Sequence, residues 1–308
     1  MGTTARAWFD ALRLRTLPLS LSGVVIASGL AGFYHVFNPL TCTLMLVMAA
    51  LLQILSNFAD EYGDLAHGAD NEDRIGPKRG LQRGDITAPQ MKGAIIVCAA
   101  TAVAFAVALL ATSFSSDQWA WVVGYLVLMA ACVAAAVLYT MGKRPYGYYG
   151  LGDLSCFLFF GLVPVVGGFI LFAARAGAPA FVPATVSPGF AIGALSVGTL
   201  NLNNMRDIET DKAAGKLTLA VKLGPQRALG YHVVLLVVGL CGFLAFSILT
   251  GESSVTGYLY LVVYLLFARL MQQIISVGEP AGYDRCMKPW SMAAALLSLA
   301  FALCVALG

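Results

Sequence analysis

The sequence predicts an all-α membrane protein whose helices form a single bundle. Hydrophobic residues make up 59% of the 308 positions and charged residues only 11%, whereas soluble domains carry about 25% charged residues. The mean hydropathy is +0.80. Apolar runs recur along the chain at close to the length of about 20 residues that a helix needs to cross a bilayer. These three observations together favour a polytopic membrane protein.

Nine apolar segments divide the chain, and we expect each of them to be a transmembrane helix. They cover residues 17–34, 39–57, 94–113, 118–139, 151–173, 181–203, 229–249, 256–276 and 288–307. The glycines and prolines inside them are tolerated in a bundle, where neighbouring helices satisfy the freed backbone groups. We expect one membrane domain over 1–308, with two long connections at 58–93 and 204–228.

The basic residues predict the orientation of the nine spans. If the N-terminus lies in the cytoplasm, all but one of the 19 lysines and arginines fall on the cytoplasmic side or near it, and only Arg175 lies on the far side. Positive charge is concentrated on the cytoplasmic side of membrane proteins. We therefore expect both long connections in the cytoplasm and the C-terminus on the far side of a bacterial cytoplasmic membrane.

The first long connection begins with an acidic motif, NFADEYGDLAHGADNEDRIGPKRGLQRGD, which runs from Asn57 to Asp85. It contains seven of the sixteen acidic residues of the chain. Asn57, Glu61 and Asp64 follow one another at spacings of four and three residues, and such positions share one face of a helix. The motif therefore predicts an amide and two carboxylates in a row at the end of the second span.

A second acidic motif, NLNNMRDIETDKAAGKLTLAVKLG, has a similar spacing at the end of the sixth span. Asn203, Asp207 and Asp211 are four residues apart, and the pattern begins 203 − 57 = 146 residues after Asn57. This recurrence hints at an internal repeat. Charges beside a membrane are usually solvated, but two such rows at helix ends on one side favour a functional site.

Closely spaced carboxylates suit a magnesium ion, because Mg²⁺ is usually held by one or two carboxylates together with substrate phosphates. Two rows with Mg²⁺ would form a clamp for a diphosphate, at a cavity on the cytoplasmic end of the bundle. Nearby basic residues would neutralise the remaining phosphate charge. These residues are Arg74, Lys78, Arg79, Lys143, Arg144, Lys212 and Lys216.

Three motifs resemble those of a known family. The patterns are NxxxxYGDxxxGxDxxDRIGPxRGLQxG from Asn57, YTxGxRPYGYxGLGD from Tyr139 and NNxRDxxxDxxxGKxTLxxxLG from Asn203. With nine predicted spans, they resemble the UbiA superfamily of intramembrane prenyltransferases. Within it, they are most similar to the 1,4-dihydroxy-2-naphthoate polyprenyltransferases of menaquinone synthesis.

This resemblance implies a Mg²⁺-dependent transfer of a polyprenyl group from polyprenyl diphosphate to 1,4-dihydroxy-2-naphthoate. Demethylmenaquinone, diphosphate and CO₂ would be formed, and no nucleic acid would be involved. By resemblance, the metal ligands would be Glu61, Asp64, Asp70, Asp207 and Asp211. The substrate-binding residues would include Asn57, Arg79, Lys143, Arg144, Asn203, Asn204 and Lys212. The chain departs from the family at Asp60-Glu61, where Asn-Asp is usual, so the coordination at Glu61 stays open.

The chemistry of prenyl transfer gives further candidate residues. Aromatic side chains can shield an allylic cation, and we expect Tyr139 and Tyr149 to do so or to orient the acceptor, although tyrosines also collect at membrane interfaces. Asp153 is a candidate to contact or deprotonate the acceptor. Arg13 would reach the acceptor or a phosphate, or else anchor the chain at the membrane surface. We therefore expect Asp64, Asp207, Tyr139 and Asp153 to be the catalytic residues.

Other functions are compatible with parts of this pattern. The same fold can prenylate another aromatic acid, such as 4-hydroxybenzoate, because acceptor choice depends on a few side chains. A secondary transporter is a different class, but transporters place their polar groups near the membrane midplane, whereas these acids lie at helix ends. A phosphatidyl-alcohol transferase is disfavoured because its DGxxAR pattern is missing from the sequence.

Overall fold

The structure is a computed structural model that describes residues 3–70, 75–177, 180–251 and 253–307. Every regular element in these ranges is helical, which confirms the all-α prediction. The α-helices are α1 (Thr3–Leu12), α2 (Leu17–Phe33), α3 (Pro39–Ala66), α4 (Ala88–Ser113), α5 (Trp119–Leu138), α6 (Gly152–Phe157), α7 (Gly168–Arg175), α8 (Val186–Arg206), α9 (Ile208–Ala213), α10 (Leu219–Leu223), α11 (Pro225–Leu249), α12 (Tyr264–Ile275) and α13 (Tyr283–Leu307). Arg74, one of the expected phosphate-binding residues, lies outside the described ranges.

Helices of the described chain coincide with all nine predicted spans, but not all of them are long and apolar enough to cross a membrane on their own. Seven helical segments meet that requirement, or eight if α1 and α2 together form one bent span. The helix α8 is not among them; its last two turns carry Asn201, Asn203 and Asn204. Length and composition thus support seven or eight of the nine predicted spans.

The helix α3 carries the first acidic motif further than the apolar pattern predicts. Asn38 caps its start by accepting a hydrogen bond from the backbone N–H of Thr41 at 3.0 Å, and the helix continues past the expected end at 57 to Ala66. Asn57, Glu61 and Asp64 therefore lie on one continuous helix, as predicted.

The second motif is not one continuous helix. The helix α8 ends at Arg206, and Asp207 has φ −101° and ψ 14° at the junction with α9. The backbone N–H of Asp211 still donates to the carbonyl of Asp207 at 2.7 Å. The helix is therefore interrupted at Asp207, while this bond joins Asp207 and Asp211 across the junction.

Close helix contacts surround a core of large side chains. At Gly29 a Cβ atom would come within 2.4 Å of the backbone of Ala302, so α2 and α13 approach each other closely there. Trp290 of α13 is fully buried and donates its indole N–H to the Leu195 carbonyl of α8 at 2.9 Å. These contacts pack α13 closely against both α2 and α8.

Between α6 and α7 the chain forms a ten-residue π-helix, Leu158–Gly167, which contains Pro164. π-helices are rare and usually short, and they are frequently found at functional sites. At Gly23 a Cβ atom would lie 2.5 Å from the Pro164 ring, so α2 packs directly on this segment. Phe159, Phe160 and Val163 of the π-helix line the large cavity of the bundle.

Candidate active site

A cavity of about 710 Å³ runs into the bundle from the end where the two acidic motifs lie. Charged and amide side chains line its outer part, including Asp60, Asp64, Asp207 and Asp211. Apolar side chains line its inner part, among them Met45, Leu109, Leu128, Met129 and Leu171. The cavity therefore joins a charged mouth to a long apolar tunnel.

Arg79 connects three carboxylates of the first motif. Its Nη2 lies 3.1 Å from Asp60 Oδ2, and its Nη1 lies 3.5 Å from Asp64 Oδ2 and 3.1 Å from Asp70 Oδ2. Burial lowers the pKa of Arg79, but the neighbouring carboxylates outweigh this effect and raise it. Arg13 also contacts Asp60, at 2.8 Å. Both arginines stay charged at the mouth of the cavity, where a phosphate could reach them.

Glu61 and Asn57 each have a structural hydrogen bond besides their place in the cavity wall. Glu61 is 2% exposed and accepts the backbone N–H of Leu81 at 2.7 Å, which fixes the connection after α3. Asn57 donates its amide to the Leu12 carbonyl at 3.0 Å and accepts from Gln53 at 3.0 Å. One oxygen of Glu61 is thus engaged with the backbone.

In the second motif, Asp207 is held by its neighbour Arg206. Two guanidinium nitrogens of Arg206 donate to the two oxygens of Asp207 at 2.7 and 2.6 Å, and a third donates to Asp284 of α13 at 2.7 Å. The same arginine donates to Asn203 Oδ1 at 2.9 Å. Such two-pronged contacts fix a carboxylate in orientation as well as in position.

Lys216 links the two motifs. Its Nζ lies 3.6 Å from Asp64 Oδ1 and 3.8 Å from Asp211 Oδ1, and its side chain is only 9% exposed. Burial raises the pKa of Asp211 to about 7, with Asp207 and Asp64 adding to the effect and Lys216 opposing it. Within the described chain, the buried Asp211 Oδ2 has no hydrogen-bond partner. This oxygen is therefore a buried acceptor with unused hydrogen-bonding capacity.

The donor set of the mouth fits a magnesium ion bound together with a phosphate. No three His, Cys, Asp or Glu side chains of the described residues are close enough to hold a metal by themselves. Mg²⁺ does not need such a trio, since one or two carboxylates and substrate phosphates usually suffice. Asp64 and Asp211 approach the same lysine from opposite motifs, and Asp211 Oδ2 is unpartnered. These hard oxygen donors are of the type that Mg²⁺ prefers.

The aromatic segment after α5 lies against the first motif. Tyr148 donates its hydroxyl to Asp64 Oδ1 at 3.0 Å, and its ring lies 5.4 Å from Lys216 Nζ. Tyr139 lines the cavity. The close approach needs a glycine at position 63, because a Cβ there would lie 2.4 Å from the Thr140 carbonyl oxygen.

Some predicted site residues lie outside the cavity wall. Lys143, Arg144 and Lys212 are exposed, Tyr149 is 54% exposed, and none of them lines the cavity. Asp153 is 7% exposed and is not among the residues that line the cavity, although Gly152 and Ser155 on either side of it are. Lys212 follows Asp211 directly, so on α9 its side chain is turned by about 100° away from the carboxylate.

Most of the other predicted residues come together. The predicted residues that line the cavity are Arg13, Asn57, Glu61, Asp64, Lys78, Arg79, Tyr139, Asn203, Asn204, Asp207, Asp211 and Lys216. Asp70 joins them through Arg79.

Sequence reasoning gave no site role to Gln53, Arg206 or Asp284. Gln53 had a signal, as a lone amide inside the apolar run of α3. Asp284 had none, because it lies far from both motifs along the chain.

Comparison with known proteins identifies the family. The UbiA prenyltransferase family matches residues 20–291. The chain is 38% identical over 298 residues to a protein of Escherichia coli (strain K12) named 1,4-dihydroxy-2-naphthoate octaprenyltransferase, covering 97% of this chain and 94% of the relative.

Two solved structures share the fold. The apo structure of a UbiA homolog from Aeropyrum pernix K1 has a TM-score of 0.66 at 17% identity, over 96% of this chain and 95% of that one. A UbiA homolog from Archaeoglobus fulgidus bound to GPP and Mg²⁺ has a TM-score of 0.63 at 18% identity, over 97% and 99% of the two chains. The resemblance that the three motifs indicated is confirmed by these matches, and the chain belongs to the UbiA prenyltransferase family.

Proposed function

We propose that the protein transfers a polyprenyl group from polyprenyl diphosphate to 1,4-dihydroxy-2-naphthoate, with release of diphosphate and CO₂. The observation that carries the proposal is the cavity itself: carboxylates of two motifs, Arg79 and Lys216 surround a charged mouth that continues into an apolar tunnel. This shape and polarity match a diphosphate joined to a long hydrocarbon chain.

Two of the comparisons support the substrates. The Escherichia coli relative has a name that states prenyl transfer to 1,4-dihydroxy-2-naphthoate. The Archaeoglobus fulgidus homolog was solved with GPP, a prenyl diphosphate, and Mg²⁺. Because the sequence is closer to the first protein, we infer the naphthoate rather than another aromatic acid as the acceptor.

The first step is loss of the diphosphate from the allylic carbon. When bound to the carboxylates, Mg²⁺ would neutralise charge on the diphosphate oxygens as the carbon–oxygen bond breaks. Arg79, Lys216 and Arg13 supply positive charge at the same mouth. Asp64, Asp207 and Asp211 would hold the metal, with Glu61 and Asp70 beside them. Tyr139 contributes a ring to the wall where the allylic cation forms.

The second step joins the prenyl group to the ring. An electron pair of the ring forms the new carbon–carbon bond at the carbon that bears the carboxylate. The carboxylate then leaves as CO₂, and its bonding pair restores the aromatic ring. The product is the quinol form of demethylmenaquinone, so that no oxidant is required. The apolar tunnel excludes water, which would otherwise trap the cation.

We also propose that nine spans cross a bacterial cytoplasmic membrane with the cavity mouth in the cytoplasm. The 19 basic residues are distributed almost entirely on the side of the two motifs, as the positive-inside rule expects. In this topology both substrates reach the mouth from the cytoplasm or from the adjoining bilayer.

A reconstitution assay tests the function. The purified protein in lipid vesicles is given Mg²⁺, a polyprenyl diphosphate and, in separate reactions, 1,4-dihydroxy-2-naphthoate or 4-hydroxybenzoate, and the products are identified by mass. We expect a decarboxylated prenyl naphthoquinol only with the naphthoate, and no product in excess chelator. A prenylated benzoate as the main product would overturn the acceptor, and full turnover in chelator would overturn the metal dependence.

A further inference from the structure

One face of α13 lines the cavity and carries a lysine that none of the three sequence motifs contains. The residues of α13 that line the cavity are Asp284, Met287, Lys288 and Ser291. Positions three, four and seven residues apart share one face of a helix. Arg285 is exposed as well, but it lies about 100° around the helix from Asp284 and does not line the cavity. Lys288 is therefore directed towards the cavity by its position on α13.

The contacts on either side of Lys288 along α13 determine its depth. One turn before it, Asp284 accepts a hydrogen bond from Arg206 Nη1 at 2.7 Å, at the end of α8. About one turn after it, the hydroxyl of Ser291 lies 3.3 Å from that of Thr199, which is two turns before Arg206 on α8. Lys288 thus lies about 6 Å further into the bundle than the carboxylates of the second motif.

The charge of Lys288 is available to a ligand. Five other cations of the cavity wall contact carboxylates at 4 Å or less; they are Arg13, Arg79, Arg83, Arg206 and Lys216. Lys288 is exposed and takes part in no ion pair among the residues that the structure describes. An ionisable side chain within a membrane-spanning helix is costly and usually has a functional role. Its ammonium group can donate hydrogen bonds to an anion in the cavity.

The depth of Lys288 distinguishes between the two anionic groups of the proposed substrates. The diphosphate would lie at the mouth, with the metal and the carboxylates of the two motifs. The allylic carbon follows the diphosphate towards the tunnel, so the ring that attacks this carbon must lie deeper than the mouth. In the proposed reaction, the attacked ring carbon also bears the carboxylate. A cation one turn below the second motif is therefore at the level of the acceptor carboxylate.

We propose that Lys288 binds the carboxylate of the aromatic acceptor and thereby favours an aromatic acid over a neutral phenol. This inference rests on the proposed function, because the acceptor is the naphthoate named there. A lysine attracts a carboxylate as a point charge on a flexible side chain. The prenylated product has lost the carboxylate, so the same contact favours binding of the substrate over binding of the product.

The test compares two ligands of similar shape and different charge. The dissociation constants of 1,4-dihydroxy-2-naphthoate and of its methyl ester are measured by calorimetry, without oxygen, Mg²⁺ or prenyl diphosphate. The full chain is held in nanodiscs of zwitterionic lipid, and empty nanodiscs correct for partition into the bilayer. The quantity of interest is the affinity for the acid divided by the affinity for the ester.

Lys288→Gln removes the charge and keeps a polar side chain of similar size. We expect the acid-to-ester ratio to fall about fivefold, the upper range for a partly exposed ion pair, with the affinity for the ester unchanged. Lys288→Arg keeps the charge and should keep most of the wild-type ratio. A wild-type ratio in Lys288→Gln would overturn the proposal.

The matched control is Arg285→Gln. It removes one positive charge from the same end of α13, at an exposed position outside the cavity wall, so the acid-to-ester ratio should stay at its wild-type value. An equal fall in this variant would mean that the acid responds only to the overall surface potential, and the assignment to Lys288 would be wrong.

Turnover separates the acceptor from the diphosphate as the partner of Lys288. In Lys288→Gln, the KM for the naphthoate should rise about fivefold at saturating polyprenyl diphosphate, and the KM for polyprenyl diphosphate should not change. The opposite result, with a higher KM for polyprenyl diphosphate alone, would mean that Lys288 binds phosphate, and it would overturn the proposal.

A failure of the proposed function gives a different result. In that case the wild type would not prenylate 1,4-dihydroxy-2-naphthoate in the reconstitution assay, and the proposal for Lys288 would be overturned together with its ligand. If the wild type does prenylate the naphthoate but Lys288→Gln keeps the wild-type acid-to-ester ratio, only the role of Lys288 is wrong.

Discussion

The two acidic motifs have similar sequences but hold their carboxylates in different ways. In the first motif, Arg79 comes from a distant part of the connection and spreads over Asp60, Asp64 and Asp70 through single contacts of 3.1 to 3.5 Å. In the second motif, Arg206 directly precedes Asp207 and donates hydrogen bonds to both of its carboxylate oxygens, at 2.6 and 2.7 Å. A lysine, Lys216, lies between the motifs.

The difference indicates that the two motifs have different roles in binding. An arginine with several single contacts can move onto a phosphate without breaking a well-defined pair, so the first motif is adaptable. A carboxylate held by two parallel hydrogen bonds is fixed in orientation, so the second motif would present the proposed metal with a rigid ligand. Similar spacing in the sequence therefore does not imply an equal role for each acidic residue.

The largest effects are expected from removing the charge of one carboxylate in each motif. Asp64→Asn and Asp207→Asn should each lower turnover by about a hundredfold or more, or about 3 kcal/mol of transition-state stabilisation. The rate is measured in vesicles at saturating substrates, with the amount of inserted protein determined for each variant. A rate within about threefold of the wild type in either variant would contradict a clamp that uses both motifs.

The next effect concerns Glu61, where metal binding and structure can be separated. Glu61→Gln keeps an oxygen for the Leu81 N–H but removes the charge, so we expect about a tenfold higher Mg²⁺ concentration for half-maximal rate and little change in thermal stability. The measurement is a Mg²⁺ titration of the rate.

Glu61→Asp is the matched control, because it keeps the negative charge and shortens the side chain by one methylene group. It should lose the bond to Leu81 and destabilise the connection by about 1–3 kcal/mol, visible as a lower melting temperature. If Glu61→Gln instead leaves the Mg²⁺ requirement unchanged, Glu61 is a structural residue and the metal contacts its neighbours.

The comparison also shows what sequence patterns can predict. Apolar runs located the helices because burial in a bilayer imposes a length and a composition, and the four-residue spacing predicted the row on α3. The break at Asp207 was not predictable, since nothing in the pattern NNMRDIETD marks the end of a helix.

Charged partners were the least predictable part of the site. Lys212 and Lys216 both follow the second motif, and only the turn after α9 determines that Lys216 points between the motifs. Asp284 meets Arg206 from α13, a contact that depends on helix packing. Tertiary contacts of this kind leave no local signal in one sequence.

A smaller effect is expected from Asp284, the outer partner of Arg206. Its carboxylate accepts from Arg206 Nη1 at 2.7 Å. Asp284 therefore balances part of the positive charge of the Arg206 guanidinium, which would otherwise be balanced by Asp207 alone. Asp284→Asn should raise the Mg²⁺ concentration for half-maximal rate about threefold, a modest change because the side chain is 40% exposed and its ion pair is screened by solvent.

A matched charge removal controls for the overall potential of the surface. Asp85 also pairs with an arginine, Arg83, at 2.6 Å, but it does not line the cavity. Asp85→Asn should therefore leave the Mg²⁺ titration unchanged. Equal shifts of the half-maximal Mg²⁺ concentration in the two variants would mean that Asp284 acts only through surface charge. The ion pair between Arg206 and Asp207 would then not depend on Asp284.

The smallest effect should distinguish two adjacent tyrosines beside the first motif. Tyr148 donates to Asp64 Oδ1 at 3.0 Å and is 7% exposed, whereas Tyr149 is 54% exposed and lies outside the cavity wall. Tyr148→Phe removes one hydrogen bond that orients an adaptable carboxylate, so turnover should fall about twofold. Tyr149→Phe should have no effect on turnover, although the sequence motif predicts a substrate contact for this residue. The measurement is the turnover rate of each variant at saturating Mg²⁺ and substrate concentrations, which tests whether Tyr148 matters and Tyr149 does not. A larger loss in Tyr149→Phe would mean that the segment after α5 rearranges when substrate binds, and that the first motif is even more adaptable than its contacts indicate.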